Sequence, residues 1–383
     1  MIKEERVFFT GINGLRFIAA LAVIITHIEL LKGVFGFKSY WKNPLIFNLG
    51  GLGVYFFFVL SGFLITYLLL IEKEKFKTIK IKEFYLRRIL RIWPLYYLII
   101  IIGFFVLPHF PEIHIPYLQD SFIKNFDNNL LLYIFILPNL AYSMYLAVPH
   151  IGHIWSIGVE EQFYLIWPWL IFKTKNVLKL LIRLIIGIIA FKILILIASV
   201  FLGGEYWFES LKRMVAMCKF ECMAIGGIGA CLLQKKETKI LYFFYKKITL
   251  NISLLLIPIL IFFTPNIIQD GIHIIYSILF LIVILNVIGN KNIKVKMDNK
   301  VFDFLGKISY GLYMYHFMII PIILFFIHKL NLTTNDYFLN FIIYLSVIIV
   351  TILISALSFY IFENKFIKLK SKFSPIKSGT SNE

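Results

Sequence analysis

Charge is what this sequence has least of. Asp, Glu, Lys and Arg make up 16% of its 383 residues, where a soluble domain carries about a quarter. That shortage excludes a disordered chain and a coiled coil. Cysteine is scarce too. Cys218, Cys222 and Cys231 crowd one apolar stretch, and without paired histidines they give neither a disulfide framework nor a zinc pattern. They read as small apolar filler, and no metal site is expected. No cleavable leader is evident after the short charged start, and no repeat of fixed period appears. The matched halves of an inverted-repeat transporter are missing as well.

What remains is apolar. Hydrophobic residues are 60% of the chain and the mean hydropathy is +0.84. The fold expected is all-α: a polytopic membrane helix bundle of about ten spans, each needing about 20 apolar residues. The spans are placed at 12–31, 49–71, 92–108, 154–172, 177–201, 215–234, 248–264, 271–289, 304–327 and 337–362. A further run, 130–148, is interrupted by Pro138, Asn139 and Pro149 and reads as re-entrant, since irregular backbone at that depth must be buried in protein or line a wet cavity. The net charge of +18 would suggest nucleic acid on a soluble protein. Here 27 of the 39 basic residues fall on one side if the N-terminus is inside. That matches the positive-inside rule with both termini cytoplasmic, leaves the bilayer as the partner, and needs no nucleic acid. The chain reads as one integral-membrane domain, 1–383, with a core over about 9–365 and a basic tail over 366–383.

Ionisable groups inside a bilayer are costly and read as functional by default. Arg16 and His27 are eleven residues apart, close to three helical turns and about 16 Å along the axis, so they share a face. A neutral imidazole is a natural general base near neutral pH. Arg16 also fits a snorkelling anchor. A second cluster runs from His150 and His153 through Trp155, Ser156, Glu160, Glu161 and Gln162 to Tyr164. Adjacent carboxylates diverge on a helix, so one of Glu160 and Glu161 faces a cavity and the other a buried cation such as Arg16 or Lys219. Capping of a helix start by acids is the plain alternative. Arg88 and Arg91, three apart in a basic segment over 72–91, share a face and suit phosphate or headgroup anchoring equally. Ser309, Tyr313 and His316 form a polar stripe on the ninth span, lining a cavity or a helix contact. Gly51, Gly53, Ser61 and Gly62 supply small residues for close packing and are assigned no chemistry.

In this order the clusters resemble the membrane acyltransferase 3 family. The matching pieces are Gly14-Leu15-Arg16 with ten residues to His27, Phe56 to Ser61-Gly62-Phe63, and Phe84-Tyr85 through Arg88, Arg91 and Pro94. Trp155-Ser156 to Glu160-Glu161-Gln162-Phe163-Tyr164 and Ser309-Tyr310-Gly311 to Tyr313 and His316 complete the set. The resemblance covers about residues 9 to 365. It implies O-acylation of a cell-envelope glycan or lipid-linked sugar at a bacterial plasma membrane. Acyl-CoA, chiefly acetyl-CoA, would be the donor substrate, with no bound cofactor. It assigns Arg16 and His27 to the essential pair, Arg88 and Arg91 to the CoA phosphates, and Glu160 to the acid after Trp155-Ser156. Glu161, Trp155, Ser309, Tyr313 and His316 become supporting residues. An extra extracytoplasmic hydrolase-like domain, carried by some members, is not expected here. The alternative is a transporter or flippase of a lipid-linked sugar, with the buried Arg, His and Glu as its pathway.

Overall fold

The computed structural model describes residues 9–235, 238–263, 269–290, 297, 299–331, 335–373 and 376, and every regular element among them is helical. Lys3, Arg6, the basic stretch 291–296 and Lys377 lie outside the described residues, and with them part of the charge pattern used for orientation. The elements are α1 (Ile12–Val34), α2 (Pro44–Phe76), α3 (Ile81–Phe105), α4 (Pro116–Lys124), α5 (Phe126–Ile134), α6 (Pro138–Tyr145), α7 (Trp155–Lys173), α8 (Val177–Leu202) and α9 (Tyr206–Met217). They continue with α10 (Phe220–Gln234), α11 (Lys239–Phe244), α12 (Lys247–Phe263), α13 (Gln269–Gly289), α14 (Lys300–Lys307), α15 (Ser309–Lys329), α16 (Asp336–Ser358) and α17 (Asn364–Lys370).

Eight helical segments among the described residues are long and apolar enough to cross a membrane, against the ten expected. The two others are helices all the same. α7 is lowered in hydropathy by Glu160, Glu161 and Gln162 near its start, and α12 is only 17 residues long. α3 departs from expectation in a way that matters. The segment 72–91 was expected outside the bundle, but α3 starts at Ile81 and carries Arg88 and Arg91 into it, running on past Pro94. A proline inside a helix forfeits one backbone bond and usually kinks it, yet here it does not end it. The expected span 215–234 is broken at Cys218–Lys219, and that at 304–327 at Ile308.

Lipid tails are as apolar as the helices and give them no hydrophobic drive to associate, so close backbone approach and polar contacts do the packing. α2 is central, against α1, α7, α10 and α13. A Cβ on Gly62 would lie 2.0 Å from the Met223 carbonyl oxygen, and one on Gly226 2.0 Å from that of Val59. Only glycine lets α2 and α10 meet this closely. α2 and α7 run parallel, tied by Trp167 Nε1 to Thr66 Oγ1 at 2.9 Å. Lys73 Nζ donates to the carbonyls of Ile171, Phe172 and Thr174 at 2.6–3.0 Å and so caps the C-terminal end of α7. The α7 start, Trp155, packs on Phe58, about 21 Å along α2 from Pro44 at 1.5 Å per residue. The chain before it therefore descends into the bundle. That segment is broken, as expected for 130–148. α5 and α6 are short, and Ile136 and Leu146 have positive φ (59° and 72°). Asn139 and Gln162 exchange two amide bonds at 2.9 and 3.1 Å, pinning α6 to α7. α8 stays largely exposed along its apolar length, as a lipid-facing helix does.

The α2–α10 contact can be tested. Gly226→Val should destabilise the protein by about 3 kcal/mol or more. Gly187→Ala, where a Cβ meets nothing within 4 Å, should be neutral or slightly stabilising. Denaturation midpoints in detergent measure both.

Candidate active site

Two of the polar centres between the helices are joined by one tyrosine. The first is a cavity of about 120 Å³ whose lining includes Arg16 of α1, Ser61 of α2, Arg88 and Arg91 of α3, Glu160 of α7 and Ser309 of α15. Tyr164, Tyr310, Tyr313 and Ser156 also face it. Arg16 reaches it because it sits on the α1 face turned toward α2 and α15. Arg88 and Arg91 reach it because α3 is continuous through them.

Glu160 is the one carboxylate in the lining, and both its oxygens are held. Oε1 accepts from Ser61 Oγ at 2.9 Å and Oε2 from Tyr164 Oη at 3.0 Å. Among the described residues none of the three guanidiniums forms an ion pair. The lining thus holds three cations against one anion. Arg88 lies over the rings of Phe84 and Tyr164, each 5.6 Å away, and its Nε is buried without a partner.

The carboxylate pair diverges as its helix spacing requires, and Glu160 takes the cavity. For Glu161 the buried cation whose charge reaches it is Arg88, not Arg16 or Lys219, and the two form no ion-pair contact. Glu161 Oε2 accepts from Trp93 Nε1 of α3 at 2.9 Å and its Oε1 is buried without a partner. An indole N–H satisfies one oxygen but carries no charge, so Glu161 braces α3 against α7 outside the lining. Trp155 packs on Phe58 and is likewise absent from the lining.

The second centre is a group of three histidines. His27 Nδ1 and His316 Nε2 are 2.7 Å apart, and the two rings meet edge to edge with their planes 8° from parallel. His153, in the turn before α7, lies 4.8 Å from the His316 ring and 6.2 Å from that of His27. Phe317 closes one side, 4.8 Å from His27 and 5.3 Å from His153. Both His153 ring nitrogens are buried without a partner. Among the described residues no group of three or more His, Cys, Asp or Glu side chains has the geometry to hold a metal ion.

Tyr313 connects the two centres. Its hydroxyl donates to the His153 carbonyl at 2.8 Å, and Ser156 Oγ lies 2.6 Å from it. A carbonyl cannot donate, so the single tyrosine proton goes there and Ser156 donates to Tyr313. The polar stripe expected on the ninth span is therefore real, with Ser309 and Tyr313 at the cavity and His316 at His27. His27 itself is not in the cavity lining.

Sequence reasoning missed two members. Ser61 was assigned packing only, and its bond to Glu160 joins residues 99 apart in the chain. His153 stood in the motif but was given no role, and its contacts with His27 and His316 depend on α1, α7 and α15 meeting.

The fold and these centres define a multi-pass membrane protein with a polar reaction-sized interior. The chain belongs to the acyltransferase 3 family, whose Acyltransferase domain model matches residues 9–360. It is 29% identical to the O-acetyltransferase OatA of Staphylococcus aureus (strain NCTC 8325 / PS 47), over 91% of this chain and 55% of that protein. It is 35% identical to the peptidoglycan O-acetyltransferase OatA of Listeria monocytogenes serovar 1/2a, over 49% of this chain and 28% of that protein. A putative O-acetyltransferase of S. aureus strain COL is 27% identical over 94% and 58%. The chain spans about half the length of the curated relatives that it matches along most of its own length. No solved structure matches it.

Tyr313→Phe tests the join. It leaves the His153 carbonyl without its donor, which should cost about 1–3 kcal/mol, read as a lowered unfolding midpoint with the protein still inserted.

Proposed function

We propose that the protein transfers an acyl group, acetyl in the simplest case, from acyl-CoA to a hydroxyl of a cell-envelope glycan. Relatives named as O-acetyltransferases, one of them of peptidoglycan, support the reaction and the acceptor class. The observation that supports the donor is the cavity lined by Arg16, Arg88 and Arg91, none of which forms an ion pair among the described residues. Forked guanidiniums recognise phosphate, and CoA brings several. Arg88 and Arg91 hold the phosphates, and the thioester extends toward Tyr313.

His27 acts as general base. The acceptor hydroxyl gives its proton to the imidazole as its oxygen bonds to the thioester carbon. The carbonyl oxygen gains the electron pair. When the intermediate collapses, the C–S bond breaks and the leaving thiolate takes the proton from His27. Arg16, Ser309 or Tyr313 stabilises the oxyanion. Glu160 offsets part of the arginine charge and keeps the Ser61 and Tyr164 hydroxyls in place.

Thiol release from acetyl-CoA by cell-envelope membranes containing the native glycan tests this reading. General-base help is worth about a hundred- to ten-thousandfold, so His27→Ala should lose at least a hundredfold at matched protein level. A loss below tenfold removes His27 from that role. Arg88→Ala should raise the KM for acetyl-CoA about tenfold or more, as expected for one lost charge-assisted bond. Absence of His27-dependent release, with no label on glycan, would favour carriage of a lipid-linked sugar instead.

A further inference from the structure

An imidazole can serve as a base only through the nitrogen that carries a lone pair, and the bond made by the other nitrogen decides which one that is. Around His27 this bond can be traced to its end. His316 Nδ1 lies 3.2 Å from the Leu312 carbonyl oxygen. A carbonyl only accepts, so that nitrogen carries the proton, and in a neutral ring Nε2 is bare. His316 Nε2 faces His27 Nδ1 at 2.7 Å, so His27 Nδ1 must donate. Its Nε2 is then the lone-pair nitrogen and has no hydrogen-bond partner among the described residues.

Neither ring is free to turn away. His316 is 0% exposed, the two imidazoles meet edge to edge in nearly one plane, and Phe317 packs edge-on at 4.8 Å from His27. The titratable groups packed against His27 are His316 and His153, with Tyr313 beyond them. Among the described residues no carboxylate bonds to the three rings. The ion pair of Glu29 with Lys32, both 0% exposed, is engaged by Tyr40, Tyr344 and Asn340 further along α1.

We infer that His316 is a positioning residue that holds His27 in its Nδ1–H tautomer and presents Nε2 to the acceptor hydroxyl. The inference rests on the reading of His27 as the base. It adds a relay that ends on a backbone carbonyl, where a triad would use an acid. As the acceptor proton arrives on Nε2, the Nδ1–H bond to His316 becomes charge-assisted and strengthens. An interaction that gains strength only in the transition state raises kcat and leaves KM alone.

Two substitutions separate this role from packing. Glutamine places its amide near the Nε2 position of the lost ring, and asparagine places its amide near Nδ1. His316→Asn should lower kcat about ten- to a hundredfold with the KM for acetyl-CoA within about twofold, and His316→Gln should recover most of the loss. Equal losses in both variants, or a loss carried by KM, overturn the inference. A second readout needs no turnover. The ¹⁵N spectrum of His27 in membranes should show the Nδ1-protonated tautomer in the wild type and lose it in His316→Asn. An Nε2-protonated His27 in the wild type overturns the relay outright. A fully active His27→Ala protein would instead remove His27 as base, and the tautomer result would still decide what His316 does.

Discussion

A bilayer core supplies no hydrogen-bond partners, so each polar group between these helices must find one within the protein. Most do, and the pattern of satisfaction explains the architecture. Lys32 and Glu29 neutralise one another and tie α1 to α16. Glu221 of α10 collects Lys192 of α8 and His273 of α13. Asn139 and Gln162 satisfy one another across α6 and α7. Against that background the unsatisfied groups stand out. They include Arg88 Nε at the cavity, Glu161 Oε1 behind it, and both nitrogens of His153 at the histidines. A buried orphan costs about 1–3 kcal/mol, and others, among them both nitrogens of His150, Glu221 Oε2 and His273 Nδ1, lie outside the cavity and the three histidines.

The two centres divide the work by chemistry. Guanidiniums collect around the cavity, and neutral imidazoles collect beyond Tyr313. In the proposed reaction, a base placed directly among three arginines would meet their repulsion once it took a proton, and the intervening tyrosine and serine keep the proposed proton-accepting step away from them.

How much of this was legible in the sequence depended on range. The shared face of Arg16 and His27 follows from eleven residues being near three turns, and the split of Glu160 from Glu161 follows from the helical angle between neighbours. Both are local. The pairing of His27 with His316 spans 289 residues, and nothing in either neighbourhood announces it. Gly62 and Gly226 were readable only as small residues, because their need for close approach comes from one another's helices. The α3 boundary was misplaced because eight basic residues over 72–91 read as a solvent-facing segment. In the bundle Arg88 and Arg91 face an interior cavity, which hydropathy cannot distinguish from water outside. Ser61 looked like packing because serine and glycine serve equally at a tight helix contact.

The cap that Lys73 places on the end of α7 has a geometric consequence. Three carbonyls held by one ammonium fix where α7 stops relative to α2. Successive residues of a helix are 100° apart, so a one-residue change of docking register is a 1.5 Å slide combined with a 100° turn. Sliding α7 by a single position would swing Glu160 away from Ser61 and the arginines and bring a neighbouring side chain into its place. The phase of α7, and with it which of two adjacent acids meets the cavity, is therefore indexed from the far end of the helix, some thirteen residues from the carboxylate it aims.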